Sequence, residues 1–378
     1  MRFLPPLISL QLVLAGCSST ATQPQPLSTE ETATIEKAYP EVDPVLGEKL
    51  YPDEALMAHE TANLIEDIIR DRYTSGEARR DVHPKAHGCL KAEFEVLDDL
   101  PKSLSQGVFQ SGRSYPAWVR FSNGNPDPYR PDIKGDARGM AVKLLSSPAE
   151  ADWQSAAQAT MQDFILISHP VFFAKAPATY VGVHRHLSSD GFWTKLAIPF
   201  HLGLKGSLIA LEMTDKQIAN PLYTRYWSEV PFQLGKGQDR KAVKYSTRPC
   251  TAKANEPPDD SEPGDDYLRE AMKTTLDQSA SCMEFLVQIR ASDEMSVENS
   301  MVEWEEEQAP FIPVARIHFP KQTFDTDDQN TFCENVAFNP WNSLPEHEPL
   351  GAMNRMRKVI YERTSKVRRE MNSVVPAQ

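Results

Sequence analysis

Six stretches with the apolar patterning of β-strands constrain the fold of this 378-residue chain more than any other feature. LKAEFEVL, AWVRFSNG and RGMAVKLL follow one another closely, and DFILISHPVFF comes next as a longer apolar segment. EFLVQIRAS and PVARIHFP resume the pattern, the latter with Ala315, Ile317 and Phe319 on one face. Helical spacing occurs in PDEALMAHETANLIEDIIRDRY from Pro52, in GDDYLREAMKTTLDQSAS and in the C-terminal RKVIYERTSKVR. The order is helix, strands, a helical or loop excursion, strands, helix. That order predicts an α+β protein, a β-rich barrel with helices at its ends. No repeat, phosphate-binding glycine loop or GxSxG elbow is present.

A hydrophobic content of 40% and a charged content of 25% are those of a globular protein. The net charge of -13 argues against a nucleic-acid partner and against adhesion to anionic lipid by charge alone. Thirty prolines suggest long, ordered connections.

The first residues, MRFLPPLISLQLVLAGC, join one early arginine to an apolar run too short to span a bilayer. Residues 1–16 therefore read as a signal peptide. Its Leu-Ala-Gly-Cys ending resembles the bacterial lipobox, which implies that Cys17 is lipidated and holds the protein to a membrane. Ser18, and the absence of aspartate there, imply the periplasmic face of the outer membrane. Residues 17–45 are expected to be the lipidated cysteine and a flexible tether, and residues 46–378 the folded domain. Export permits disulfides among Cys89, Cys250, Cys282 and Cys333. A bridge closing the loop between Cys250 and Cys282 and a set of free buried thiols are both open.

RKVIYERTSKVR poses a chemical question. Read as a helix, it aligns Arg357, Tyr361, Thr364 and Arg368 on one face, where apolar residues normally lie. A guanidinium one turn from a tyrosine stabilises its phenolate, the form that binds ferric iron. Upstream, RRDVHPKAHG carries Arg80, His83, Lys85 and His87, and VRFSNGNPDPYRPDIKGDARGMAVK carries Arg120, Ser122, Asp136 and Arg138.

Together with DFILISHPVFFAKAPATY and the terminal Arg-x-x-x-Tyr, these segments resemble the haem catalase superfamily, in order, from Arg80 to Arg368. The resemblance implies a catalase-type antiparallel barrel with a C-terminal proximal helix, binding haem b. His83 falls on the distal histidine, and Ser122 on the serine that hydrogen-bonds it. Arg80, Arg120 and Arg368 fall on the propionate arginines, which suit carboxylates better than lysines do. Phe172 falls on a phenylalanine that lines the haem. Tyr361 falls on the axial iron ligand that catalases use, with Arg357 as its partner. FNPWNSLP resembles the segment ahead of the proximal helix. His87 is the competitor for His83, but choosing it leaves the upstream arginine unmatched.

One departure bears on activity. Where the family has a distal Asn-Asn pair, this chain has Ile167-Ser168. The loss of the amide predicts weak hydrogen peroxide dismutation, and the isoleucine an apolar pocket suited to organic or lipid hydroperoxides. The short C-terminal region leads us to expect no dedicated nicotinamide site and a simpler assembly, with an oligomer still open. The expected function is haem-dependent, catalase- or peroxidase-like breakdown of peroxides, with a part in oxidative-stress response. Its rivals are a fatty-acid hydroperoxide lyase or isomerase resembling allene oxide synthases, a non-catalytic haem-binding lipoprotein, and a structural lipoprotein without haem.

Overall fold

The computed structural model describes residues 27–146, 161–189, 194, 196–258 and 263–373. The signal segment and Cys17 lie outside them. The strands are β1 Ala86–Val96, β2 Ser114–Asn123, β3 Arg138–Leu144, β4 Gln162–Ile167, β5 Tyr226–Trp227, β6 Phe232–Leu234, β7 Lys241–Pro249, β8 Ser281–Ile289 and β9 Ile312–Phe319. They pair in the order β5-β4-β3-β2-β1-β9-β8-β7-β6, all antiparallel. A further β5–β7 pairing closes eight of them into a barrel and leaves β6 attached to the side of β7. Closure removes the open edges that a flat antiparallel sheet would expose.

The helices are α1 Thr29–Ala38, α2 Glu54–Arg72, α3 Pro177–Leu187, α4 Ile198–Thr214, α5 Tyr267–Gln278, α6 Asp327–Asn335 and α7 Ala352–Met371. The strand alternation puts Val119, Phe121, Met140, Val142, Phe164 and Leu166 into the core. There Phe94, Phe109, Phe164, Tyr245 and Phe285 pack as a ring cluster, with Phe164 and Phe285 centroids 4.7 Å apart. Each such buried side chain contributes about 1.5–3 kcal/mol by leaving water. Residues of opposite parity, Arg120, Ser122, Gly139, Ala141, Ile165 and Ile167, lie on the outer face of the same three strands. Helices α2 and α7 pack on each other across that face, and Arg363 on α7 pairs with Glu66 on α2 at 2.9 Å.

The structure differs from the sequence expectation in two places, and it settles the cysteine pairing that the sequence left open. Part of the stretch expected as tether is helix α1, whose Ser28 and Glu31 form a reciprocal capping box. Beyond it the chain is built into the body: Tyr39 is buried and donates to Glu54 at 2.9 Å, and Asp43 pairs with Arg240. The long segment DFILISHPVFF is strand only to Ile167, because His169 turns onto the Val171 backbone and Pro170 cannot donate to a ladder. Both cysteine pairs are bridged, Cys89 to Cys333 and Cys250 to Cys282, with Cα separations of 5.5 and 5.4 Å. The first ties α6 to β1.

Candidate functional site

The outer face of β2, β3 and β4 forms one wall of a cavity of about 240 Å³, and α7 forms the opposite wall. Ile65 and Ile69 of α2, Phe172, Tyr180 of α3 and Phe338 complete it. Every site residue expected from the sequence within the described residues lines this space: Arg80, His83, Arg120, Ser122, Phe172, Arg357, Tyr361 and Arg368. Segments far apart in sequence meet here because strand parity and helical period each present one face.

On the barrel wall, His83 adopts a left-handed backbone with φ of 60°, a conformation costly for a non-glycine residue. Three contacts hold it. Its N–H donates to the Gly124 carbonyl at 3.3 Å, Arg120 Nη2 donates to its carbonyl at 2.8 Å, and Nδ1 lies 3.0 Å from Ser122 Oγ. Gly139 makes room for the ring: a Cβ there would sit 2.5 Å from His83 Nδ1 and 2.8 Å from Ser122 Oγ. Burial, then the Arg120, Arg80 and Arg357 charges, pushes the imidazole down to about 3, so it is neutral near pH 7. His87 does not reach the cavity. It is buried against Asn123, at 2.8 Å, and beside Asp132.

On the helix wall, Arg357 Nη2 donates to Tyr361 Oη at 3.0 Å, and its guanidinium carbon lies 5.1 Å from the ring centroid. Asn354 accepts from Arg357 Nη1 at 3.2 Å and fixes the guanidinium from the preceding turn.

Three guanidiniums cluster at one end of the cavity. Arg80 donates to the Glu334 and Val336 carbonyls at 3.3 and 2.5 Å, and Arg368 also donates to the Glu334 carbonyl. These carbonyls lie one and three residues after Cys333, so the Cys89–Cys333 bridge anchors the shelf that receives both arginines. Glu334 is the one carboxylate that pairs with Arg80 and Arg368 among the described residues. Arg120 is buried and its Nε has no hydrogen-bond partner. Burial, and then the neighbouring guanidiniums, pull Arg120 well below its usual range and Arg368 down to about 9. The cluster therefore holds surplus positive charge that calls for anionic oxygens.

Ile167 lines the cavity beside Gly139, its partner on β3. Ser168 points elsewhere, its Oγ accepting from the Arg138 N–H at 2.9 Å. Lys85, Asp136 and Arg138 belong to a separate buried network around Asn123 and Asp132. Of the two carboxylates on the lining, Asp81 and Glu229, sequence reasoning singled out neither. Glu229 has a φ of 61°, an unpartnered Oε1, and a carboxyl held well above its usual range by burial, against the pull of Arg357 and Lys244. Nothing in YWSEVPF distinguishes it from a surface glutamate.

A closed antiparallel barrel with an arginine-capped cavity under a C-terminal helix defines a catalase-type protein. Comparisons with known proteins agree. The family model described as catalase matches residues 60–190. The chain is 25% identical over 327 residues to a catalase-related peroxidase of Mycolicibacterium paratuberculosis, covering 84% of this chain and 95% of that one. It is 31% identical over 99 residues to a catalase of Ascaris suum, 26% of this chain and 16% of the other. Among solved structures, a bacterial catalase superposes with a TM-score of 0.62 at 17% identity, covering 90% of this chain and 66% of that one. Catalase A from Saccharomyces cerevisiae gives a TM-score of 0.59 at 18% identity, with coverages of 85% and 65%. The chain thus spans just under two thirds of those solved catalases. It is similar to catalases over residues 60–190 and shares their fold.

The cavity lining suits the haem that the sequence resemblance implies. Gly139 and Ala141 leave a flat floor, Ile165, Ile167 and Phe172 give it apolar sides, and the guanidinium cluster lacks the carboxylates it calls for.

Proposed function

We propose that this protein breaks down peroxides with a bound haem, and that organic or lipid hydroperoxides are its better substrates. The observation that carries this reading is one cavity with His83–Ser122 on the barrel wall and Arg357–Tyr361 on the helix wall. Similarity to catalases and to a catalase-related peroxidase supports peroxide chemistry as the general activity.

In this reading Tyr361 Oη would ligate the haem iron, with the Arg357 donor stabilising its phenolate. Arg80, Arg120 and Arg368 hold the propionates, supplying the anions that the cluster lacks. Haem iron, when bound, supplies the redox chemistry that cleaves the O–O bond. His83 acts as general acid and base. With Nδ1–H donating to Ser122 Oγ, its Nε2 takes the proton of the hydroperoxide and returns it to the departing oxygen. The depressed basicity of His83 keeps that nitrogen free near neutral pH.

Ile167 on the cavity wall favours the hydroperoxide of an apolar chain over hydrogen peroxide. The same residue makes rearrangement of a fatty-acid hydroperoxide, without an external reductant, the second reading. The lipobox-like sequence supports export and attachment through Cys17 at the periplasmic face of the outer membrane.

Purified protein reconstituted with haem should show a Soret band, and Tyr361→Phe should lose it. Failure to retain haem would refute the reading. With haem in place, cumene hydroperoxide and hydrogen peroxide are compared with and without a reducing co-substrate. Loss of a fatty-acid hydroperoxide with no reductant present would favour the isomerase or lyase instead.

A further inference from the structure

Helix α4 is apolar on both of its faces, and only one of them is covered. Ile209 and Met213 pack inward on Val171 and Met301, in a cluster that Ile167 and Phe173 flank. Gly206 lies so close that a Cβ there would sit 2.8 Å from the Phe173 carbonyl. Gly203, with a φ of 67°, kinks the helix. Beyond it the outer face carries Leu204, Leu208 and Leu211, and Phe200 stands exposed in the turn before it. Phe200 and Leu204 are 87% and 80% exposed. A helix apolar all round is normally enclosed by protein or lipid. Among the described residues nothing in this chain encloses it.

The chemistry of that face selects the occupant. The chain has 53 acidic residues, yet Ala197 to Leu211 has none, and carries Lys205 and His201. A second copy would bring a net charge of -13 against another -13. Zwitterionic lipid brings no such charge, offers acyl chains to the four apolar side chains and offers phosphates to Lys205. No helix among the described residues is long and apolar enough to cross a membrane, so α4 would lie along the surface. The N-terminus points the same way. From Cys17 to Leu27 the chain reaches at most about 35 Å, which would hold the body of an acylated protein at the bilayer.

We propose that the outer face of α4 docks on the lipid bilayer surface, with Phe200, Leu204, Leu208 and Leu211 as its apolar contacts. The inner face of the helix packs on the segment between Ile167 and Phe173, two of whose members, Ile167 and Phe172, line the cavity. Docking would bring that side of the cavity next to the membrane, where lipid hydroperoxides form.

The test uses the full chain with Cys17→Ser, so that acylation does not confound it, and phosphatidylcholine vesicles without peroxide. The protein should float with the vesicles. Combined Phe200→Ser, Leu204→Ser, Leu208→Ser and Leu211→Ser should lower partitioning at least tenfold while the circular dichroism melt is retained. Should that variant misfold, Leu204→Trp gives a second readout: its added emission should shift to the blue on vesicles. Absence of flotation and of the blue shift would overturn the proposal. So would a dimer, seen by light scattering, that the serine variant dissolves while vesicles bind neither form. None of these readouts needs haem or turnover, so failure of the peroxide reading would leave them interpretable.

Discussion

Arg357 and Tyr361, one turn apart on α7, share a hydrogen bond of 3.0 Å from guanidinium Nη2 to phenol oxygen. If this donor stabilises a phenolate on iron, Arg357→Gln should weaken haem retention about tenfold, the worth of one charge-assisted hydrogen bond. Tyr361→Phe should remove retention outright. Haem transfer to apomyoglobin, followed at the Soret maximum, measures both, and equal retention in wild type and Arg357→Gln would dismiss the partnership.

The arginine cluster predicts opposite effects on the two forms of the protein. Without haem, Arg368 adds positive charge beside Arg80 and Arg120, with Glu334 alone among the described residues to offset it. Arg368→Gln should therefore leave the apoprotein as stable as wild type, or raise its melting temperature by a few degrees. Reconstituted protein should change the other way, with a smaller thermal shift on haem addition. Parallel melts of both forms decide it, and a large loss of apoprotein stability would mean that Arg368 is structural.

Gly139 tests the placement of His83. An added Cβ would fall within 2.5 Å of the imidazole, and the ring has little freedom because its backbone is already strained. Gly139→Ala should expel the ring from its contact with Ser122 and lower peroxide turnover about a hundredfold, the scale of a lost acid–base group. Haem content is measured alongside, because Gly139 also lies on the cavity floor. Pre-steady-state kinetics at matched Soret absorbance separates the two effects.

Much of this was legible in the sequence because strand and helix periodicities carry through folding. Arg120 and Ser122 share parity on β2, and Arg357, Tyr361 and Arg368 share a helical face, so the periodicities agree with the grouping that the resemblance to catalases implied. What spacing left out depends on partners distant along the chain. Arg355 and Arg357 look alike in RMRKVIY, yet Arg355 is buried on the other side of α7, bound by Glu48, Glu54 and Glu298. The short strands β5 and β6 have two and three residues, too few for a pattern, and β5 still closes the barrel. Glu229 gave no signal because its burial is set by the cavity around it. Helix α1 was hidden by polar composition, its evidence residing in a capping pair.

Buried histidine sets an acid limit on the fold. His347 sits among the core rings, accepting from the Val108 N–H at 2.9 Å through Nε2, which leaves Nδ1–H to meet Tyr245 Oη at 3.0 Å. Burial pushes it from 6.5 down to about 3. The unfolded chain therefore takes up this proton first, and the stabilisation present above pH 6.5 is lost as pH falls toward 3. The slope is about 1.4 kcal/mol per pH unit. Denaturant unfolding at pH 6 and pH 4 should show wild type losing about 2–3 kcal/mol more than His347→Gln, which does not titrate. Equal losses would mean that the histidine is protonated in the folded state.

In the proposed function, Ile167 sets the choice between peroxides. It faces the cavity from β4 opposite Gly139, in the position where the resemblance to catalases leads one to expect an amide. Ile167→Asn would return a donor to the cavity wall and remove apolar surface. Hydrogen peroxide turnover should rise about tenfold, the effect of one hydrogen bond made in the transition state. Activity on a long-chain hydroperoxide should fall several-fold as about 1–2 kcal/mol of apolar contact is lost. The ratio of kcat/KM for the two substrates is the quantity to measure, since it cancels differences in haem loading. An unchanged ratio would remove Ile167 from the choice of substrate and leave the apolar preference without its support.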